Sequence, residues 1–362
     1  MSAEKSTIDR FRMPGAAAGL AAAPSPVPGA AASLADPTSP PVPPPVGSPP
    51  PPVAATAPAA PLRRARRTGP PAISPLVRLA FGQLERTPAV GGWLAERLWF
   101  RLPAPPSAAE RERRTPPGGE PFETTWAGGV VRGRVYGDWG LPTAYLVHGW
   151  GGWWQQLSAH IQPLVDRGLC VVAFDAPSHG GSDAGRFGGR STTFVEMGEA
   201  LAAVAADFGR PAVVVAHSAG AMASLLAIDA GLDVEALALL APPVSVEPIQ
   251  RLVATSLGVG PRSERVMRER AERRVGLPMQ ALDLVDLASR QRSLPRLLVV
   301  HDRHDREAPL AGAVELVTAW HGARLLVTDR LGHHRVMWHP DVVARVAGLA
   351  GDAAQEVRRS AR

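Results

Sequence analysis

Cysteine is almost absent from the 362-residue chain, in which Cys170 is the only one. A single thiol excludes an internal disulfide, so we expect a reducing compartment and place the protein in the cytoplasm. No stretch approaches the roughly 20 consecutive apolar residues that a membrane-spanning helix needs. Prolines follow the Ala/Gly run at 15–23 at once, and Leu20 is its one large apolar residue, so we expect no signal peptide.

A strong charge imbalance is also lacking, because the net charge is only +6 over the whole chain. Residues 1–71 contain 18 prolines and few large apolar side chains, which predicts a disordered tail. The tail ends in a basic cluster, Arg63–Arg67, without interleaved aromatic residues. A solvated linker is therefore favoured over a contact with nucleic acid or an anionic membrane surface. We expect neither a nucleic-acid partner nor stable membrane insertion, and the sequence leaves the oligomeric state open.

Residues 72–121 are interpreted as N-terminal helices followed by a linker. Apolar side chains recur at helical spacing over 72–102, and Pro88 with Gly91-Gly92 predicts a break between two helices. These helices either cover the main domain or touch a membrane surface, and packing is the favoured interpretation. Proline, glycine and charged residues over 103–121 predict the linker.

Short apolar strands alternate with helical stretches from residue 122 to 350, which predicts an α/β fold with a mostly parallel sheet covered on both faces. Two antiparallel strands are expected at 122–127 and 130–136. Further strands are predicted at 143–147, 169–174, 212–216, 236–240, 296–300 and 323–328. Helices are predicted at 153–166, 192–208, 219–230, 309–320 and 340–350. Residues 242–294 interrupt the alternation as a helical lid, and residues 351–362 are predicted to be a tail.

The stretch 211–220 predicts a buried strand, a very sharp turn and a helix. Its valine run ends in Ala216-His217-Ser218-Ala219-Gly220, where small residues lie two positions before and two positions after Ser218. Such a turn exposes the Ser218 hydroxyl at a helix N-terminus, which favours negative charge. Ser218 is therefore a candidate nucleophile.

A glycine-rich turn, His148-Gly149-Trp150-Gly151-Gly152, follows the strand at 143–147. Such a turn allows a backbone N–H to face a reacting carbonyl. We expect the amides of Trp150 and Ala219 to form an oxyanion hole, although glycine-rich turns are also common without function.

Candidate acids and bases follow the last two predicted strands. Asp302 and Asp305 come after 296–300, and either one could orient a catalytic imidazole or simply cap a turn. His333 and His334 come after 323–328, and one of them would be the general base for Ser218. The chain order of serine, acid and histidine at successive strand ends is that of a nucleophile-elbow hydrolase.

Residues 122–350 resemble the α/β-hydrolase superfamily. His148–Gly152 resembles its His-Gly oxyanion motif, Phe174–Ser182 its Asp-x-x-Gly-His-Gly-x-Ser loop, and Ala216–Gly220 its nucleophile elbow. Two positions depart from the usual pattern, since alanine begins the elbow and Ser178 precedes His179 where glycine is usual. The resemblance implies that Asp305 is the acid and His333 the base. It implies supporting positions at His148, Gly149, His217 and Gly220.

These features predict a serine hydrolase that cleaves a carboxylic ester or thioester through an acyl-enzyme. The alternatives are hydrolysis of C–C, amide or lactone bonds, or a non-catalytic binding protein, against which the intact Ser218, Asp305 and His333 argue. No cofactor is expected. No metal is expected either, because the loop histidines lack the ligand spacing of zinc sites. An acyl pocket could be lined by Trp150, Trp153 and Trp154, although core packing explains Trp153 or Trp154 equally well.

Overall fold

A computed structural model describes residues 74–291 and 293–362 of the chain. The predicted disordered tail at 1–71, with its basic cluster Arg63–Arg67, lies outside the described residues. No helix within these two ranges is both long enough and apolar enough to span a membrane.

The described residues form one eight-stranded sheet. Its strands are β1 (Glu120–Trp126), β2 (Gly129–Tyr136), β3 (Thr143–Val147), β4 (Cys170–Phe174), β5 (Pro211–His217), β6 (Ala236–Leu240), β7 (Arg296–Asp302) and β8 (Arg324–Thr328). Their order across the sheet is β1-β2-β4-β3-β5-β6-β7-β8. The β1/β2 and β2/β4 pairs are antiparallel and all other pairs are parallel, which confirms the predicted mostly parallel α/β sheet.

Helices occupy most of the remaining described chain. They are α1 (Pro75–Leu84), α2 (Pro88–Trp99), α3 (Ala108–Arg113), α4 (Ile161–Val165), α5 (Phe194–Phe208), α6 (Ala219–Asp229), α7 (Val246–Leu257), α8 (Pro261–Val275), α9 (Leu284–Ser289), α10 (Leu310–Ala319), α11 (Gly332–Arg335) and α12 (Pro340–Ser360). Part of the helix predicted at 153–166 is a 3-10 helix, Trp154–His160, which leads into α4.

The central strand β5 shows why both faces of the sheet need a helical cover. All seven of its residues are buried. Val214 packs into the core beneath α5, α6, α9 and α10. Val213 and Val215 point to the opposite face, where they pack with α4 and α12. A β-branched run buried on both sides is typical of a parallel strand, so the sequence pattern and the layer order agree.

The C-terminal helix is longer than the sequence pattern predicted. The expected end at residue 350 and tail over 351–362 are wrong, because α12 continues without interruption to Ser360. Ala353 and Ala354 are buried against the sheet in this extension. Their small side chains continue the apolar face of the preceding helical turns. The packing of this face outweighs the weak helix propensity of Gly348 and Gly351.

Helices α1, α2, α7 and α8 pack together around a small core of their own, and we call these four helices the helical cap. The core includes Phe81, Ala95, Ala254 and Met267. The N-terminal helices thus pack on the helices of the predicted lid segment.

The predicted break between two helices lies directly before Pro88, at Glu85–Thr87, but Gly91-Gly92 are not part of it, because α2 runs through both glycines. A Cβ on Gly92 would lie 2.5 Å from the Cβ of Val266 on α8. These glycines permit close helix packing, which outweighs their low helix propensity.

Candidate active site

Ser218 lies in the turn between β5 and α6 with backbone angles φ 51° and ψ −121°. Positive φ is unfavourable for a residue with a Cβ, so the surrounding contacts must hold this conformation. The Ser218 amide donates to the carbonyl of Leu240 across 2.9 Å. A Cβ on Gly220 would lie 2.6 Å from the carbonyl oxygen of Val147, so the elbow requires glycine at that position. The predicted sharp turn is present and presents the Ser218 hydroxyl to a cavity.

Three of the predicted site residues meet through their side chains. The Oγ of Ser218 lies 2.9 Å from Nε2 of His333. The Nδ1 of the same imidazole lies 2.8 Å from Oδ2 of Asp305. The side chain of Asp305 is fully buried and that of His333 is 6% exposed. This geometry allows a proton to pass from the hydroxyl to an imidazole that a carboxylate orients.

Asp305 is held as a carboxylate by its surroundings. Burial acts to raise its pKa, but the hydrogen bond and charge of His333 together with two backbone amides lower it overall. The second carboxylate oxygen, Oδ1, accepts from the amides of Glu307 and Ala308 at 2.8 and 3.0 Å. These bonds fix the Asp305 side chain with one oxygen directed at the imidazole.

Asp302, the other acid that the sequence left open, binds the loop that carries the histidine. Its carboxylate accepts from the Thr328 hydroxyl and from the Leu331 amide, both across 2.8 Å. Burial raises its pKa, but the amides of Leu331, Gly332 and His304 lower it overall. The structure therefore places Asp305 on the imidazole and Asp302 at the base of the adjacent loop.

His334 points to a different partner from its neighbour His333. Its Nε2 lies 3.2 Å from Oε1 of Glu307, and its side chain is 42% exposed. This ion pair raises the pKa of His334, against the smaller opposing effect of burial. Of the two histidines, His333 alone contacts the Ser218 hydroxyl.

His217 braces the histidine loop from the elbow. Its Nε2 lies 3.0 Å from the backbone carbonyl of His333, to which it donates as the neutral tautomer. Burial lowers the pKa of His217 well below its ordinary value, and the neighbouring His333 acts in the same direction. A neutral His217 can keep this hydrogen bond while His333 changes its protonation state.

His148 fixes the start of the glycine-rich turn. Its Nε2 accepts from the amide of Ala176, and its Nδ1 donates to the carbonyl of Gly149. This pairing requires a neutral imidazole, in agreement with burial lowering its pKa. His179 holds the same turn by accepting from the Gly151 amide across 3.0 Å, and burial lowers its pKa to about 3.

Asp175 orders the loops beside this turn. Its two oxygens accept from the amides of Trp154 and Gly181 at 2.9 and 2.8 Å. Asp175 therefore holds these loops together, and Asp305 is the acid that contacts His333.

The two amides predicted to form an oxyanion hole are free to bind a ligand. Within residues 74–291 and 293–362, the amides of Trp150 and Ala219 have no hydrogen-bond acceptor. Both residues line the cavity next to Ser218. A Cβ on Gly149 would lie 3.0 Å from the Cβ of Ser218, so glycine allows the turn to approach the elbow closely.

A cavity of about 310 Å³ opens on Ser218 and His333. Its walls come from the loops and helices that follow the carboxyl ends of the strands and from the helical cap, and they are mainly apolar. They comprise Leu98, Trp99, Phe100, Trp150, Phe194, Ser218, Ala219, Met222, Pro243, Val246, Ile249, Val253, Glu307, Ala308 and His333. A second depression, of about 330 Å³, is lined by residues such as Arg296 and Asp352 and includes none of the predicted site residues.

The sequence interpretation missed two contributions to the cavity. Leu98, Trp99 and Phe100 reach it from the end of α2, a helix interpreted only as packing. Glu307 lies two residues after Asp305 and was not singled out, although its place on the same strand-end turn was a usable signal. Trp150 lines the cavity as one alternative proposed, whereas Trp154 is buried in the core on the other face of the sheet. Trp153 does not line the cavity.

No group of three or more His, Cys, Asp or Glu side chains within the described ranges is arranged to hold a metal ion.

Comparison with known proteins gives one family and many similar structures. Residues 144–346 match the family described as the alpha/beta hydrolase family. An esterase from Pyrococcus furiosus has 15% identity and a TM-score of 0.51, over 71% of this chain and 97% of its own. An esterase from Rhodococcus sp. has 16% identity and a TM-score of 0.48, over 64% and 99% of the two chains. A thioesterase domain from the curacin biosynthetic pathway has 15% identity and a TM-score of 0.48, over 64% and 99%. A search of the curated proteins finds no match.

Proposed function

The chain belongs to the alpha/beta hydrolase family, and on this premise we propose that it is a serine hydrolase that cleaves a carboxylic ester or thioester through an acyl-enzyme. One observation carries the proposal. Asp305, His333 and Ser218 form a continuous side-chain relay, with contacts of 2.8 and 2.9 Å, at the wall of an apolar cavity.

In the acylation step, Nε2 of His333 removes the proton of Ser218 as Oγ attacks the substrate carbonyl. Asp305 accepts from Nδ1, which selects the tautomer with a free Nε2 and stabilises the imidazolium that forms. The amides of Trp150 and Ala219 are positioned to bind the oxygen that becomes negative. The C–O or C–S bond then breaks, and His333 returns the proton to the leaving group.

In the deacylation step, a water molecule takes the place of the leaving group. His333 removes a proton from this water as its oxygen attacks the acyl carbonyl. The bond to Ser218 Oγ breaks, Oγ recovers the proton from His333, and a carboxylic acid leaves. Neutral His217 keeps its hydrogen bond to the His333 backbone through both steps.

An apolar acyl group suits the site, because the cavity walls are mostly aliphatic and aromatic. The similar Pyrococcus furiosus protein is an esterase, in agreement with an ester substrate. Hydrolysis of C–C, amide or lactone bonds would use the same three side chains. Assays on substrates that carry one of these bonds distinguish such activity from ester hydrolysis.

The proposal is tested with p-nitrophenyl esters of graded acyl length. We expect the wild type to hydrolyse them and Ser218→Ala to lose at least about a thousandfold in kcat. Ser256→Ala is the matched control, because this serine is exposed on α7 outside the cavity, and it should retain full activity. Hydrolysis that survives Ser218→Ala, or a folded wild type that cleaves no ester or thioester of the series, would contradict the proposal.

A further inference from the structure

Glu307 is the one carboxylate among the fifteen described residues that line the cavity. The other lining side chains are apolar except Ser218 and His333, which the proposed reaction uses. Its side chain is 43% exposed, so the carboxylate meets both solvent and the cavity, and its neighbours indicate what else it can bind.

The position of Glu307 relative to the proton donor defines the part of the substrate that it faces. Its Oε2 lies 4.0 Å from Nε2 of His333. In the proposed reaction, Nε2 delivers its proton to the leaving group, so the leaving-group atom must lie next to Nε2. The carboxylate of Glu307 is therefore on the leaving-group side of the scissile bond.

The charges around Glu307 keep it negative towards the cavity. Burial raises its pKa, but His334 and His333 lower it overall, while Asp305 acts in the opposite direction. Its Oε1 is occupied by Nε2 of His334, which does not line the cavity and is itself 42% exposed. Among the described residues Oε2 accepts no hydrogen bond, and it lies 4.0 Å from Nε2 of His333, so it is available to a substrate.

We propose that Glu307 is a specificity-determining residue that selects esters whose leaving alcohol carries a positive charge, such as an ammonium group two carbons from the ester oxygen. This inference rests on the proposed function. A nitrogen at that spacing reaches a carboxylate that is 4.0 Å from the proton donor, while the acyl chain occupies the apolar part of the cavity. The Glu307 side chain is 43% exposed, so solvent partly screens this contact and its effect on kcat/KM should be modest.

The test compares two esters of the same acid and nearly the same shape. One is the 2-(trimethylammonio)ethyl ester, and the other is its uncharged 3,3-dimethylbutyl isostere, in which carbon replaces nitrogen. Both carry the acyl chain that is cleaved best in the p-nitrophenyl series. Acid release in a pH-stat gives kcat/KM for the wild type, Glu307→Gln and Glu307→Asp. Glu315→Gln, an exposed carboxylate on α10, is the matched control for net charge.

We expect Glu307→Gln to lower the ratio of kcat/KM for the charged ester over the neutral ester by about 2- to 5-fold, as for a partly exposed ion pair. The ratio is the readout, because loss of the charge beside His333 acts on both esters alike. Glu307→Asp should restore part of the ratio, and Glu315→Gln should leave it unchanged. An unchanged ratio in Glu307→Gln, or an equal loss on both esters, would overturn the inference. Ser218→Ala separates the two claims, because hydrolysis that survives it contradicts the proposed function itself.

Discussion

The carboxylate of Asp305 accepts a hydrogen bond from Nδ1 of His333 across 2.8 Å, and this contact separates the roles of two neighbouring acids. Asp302, three residues earlier, instead holds the Leu331 amide two residues before that histidine. One acid thus orients the imidazole directly, and the other anchors the loop on which the imidazole is carried.

Asp305→Asn should lower kcat by about a thousandfold to ten-thousandfold, because an amide does not select the His333 tautomer needed to accept the Ser218 proton. The measurement is kcat on the preferred p-nitrophenyl ester, with circular dichroism to verify folding. Asp302→Asn is the comparison. Its main effect should be a lower melting temperature of the protein, because the loop that carries His333 is held less firmly. Full activity in Asp305→Asn would exclude this residue as the acid.

His160 should contribute to acid unfolding. It is 1% exposed, and burial lowers its pKa to about 4, although the Met337 backbone acts in the opposite direction. An unfolded-state histidine titrates near 6.5, so between about pH 6.5 and 4 the unfolded chain binds a proton that the folded chain does not. Stability from this group is therefore complete above about pH 6.5 and is lost as the pH falls towards 4.

His160→Leu should reduce the slope of unfolding free energy against pH by up to about 1.4 kcal/mol per pH unit in that window. Urea unfolding at a series of pH values measures the slope. His321→Gln, at an exposed histidine, is the control and should leave it unchanged. Equal slopes for the wild type and His160→Leu would show that this histidine binds its proton equally well in the folded and the unfolded chain.

Arg274 should stabilise the helical cap through a buried acid. Its Nε lies 2.7 Å from Oε1 of Glu96, whose side chain is only 3% exposed. Its guanidinium also lies 4.7 Å from the ring centroid of Phe100, which lines the cavity. Arg274→Met should destabilise the protein by about 2–4 kcal/mol, because it removes the closest cation from a buried carboxylate. Arg273→Met, at an exposed position on the same helix, should change the free energy of unfolding in urea little. Equal losses in the two variants would contradict this role of Arg274.

The cap helix α7 should set the preferred acyl length. Ile249 lines the cavity, whereas Leu252 on the same helix is 59% exposed. Ile249→Trp should fill acyl space and lower the octanoate-to-acetate ratio of kcat/KM by about 10-fold or more. Leu252→Trp adds the same side chain outside the cavity and should preserve the ratio. A preserved ratio in Ile249→Trp would show that the acyl chain lies elsewhere.

The sequence predicted the features that depend on local pattern. The Val-rich run before Ser218, the small residues around it and the order of serine, acid and histidine are all readable along the chain. Asp302 and Asp305 could not be distinguished in this way, because the choice depends on hydrogen bonds to a distant loop. The family resemblance, rather than spacing, pointed to the residue that contacts His333.

Features that depend on long-range packing were missed. The predicted helix break included the glycines of α2 as well as Pro88, yet these glycines lie within the helix and allow close approach to α8, which is far away in sequence. That packing also brings Trp99 and Phe100 to the cavity wall. Glu307 follows Asp305 by two residues, but its cavity position depends on the orientation of the whole strand-end turn.

The central claim, that Ser218 is the nucleophile, is tested most directly by active-site labelling with a fluorophosphonate. We expect one adduct per folded chain by intact-protein mass, located at Ser218 by peptide mapping and absent from Ser218→Ala. The reaction should be much slower in His333→Ala, which lacks the base. A folded wild type that takes no label, or labelling that persists in Ser218→Ala, would contradict the account.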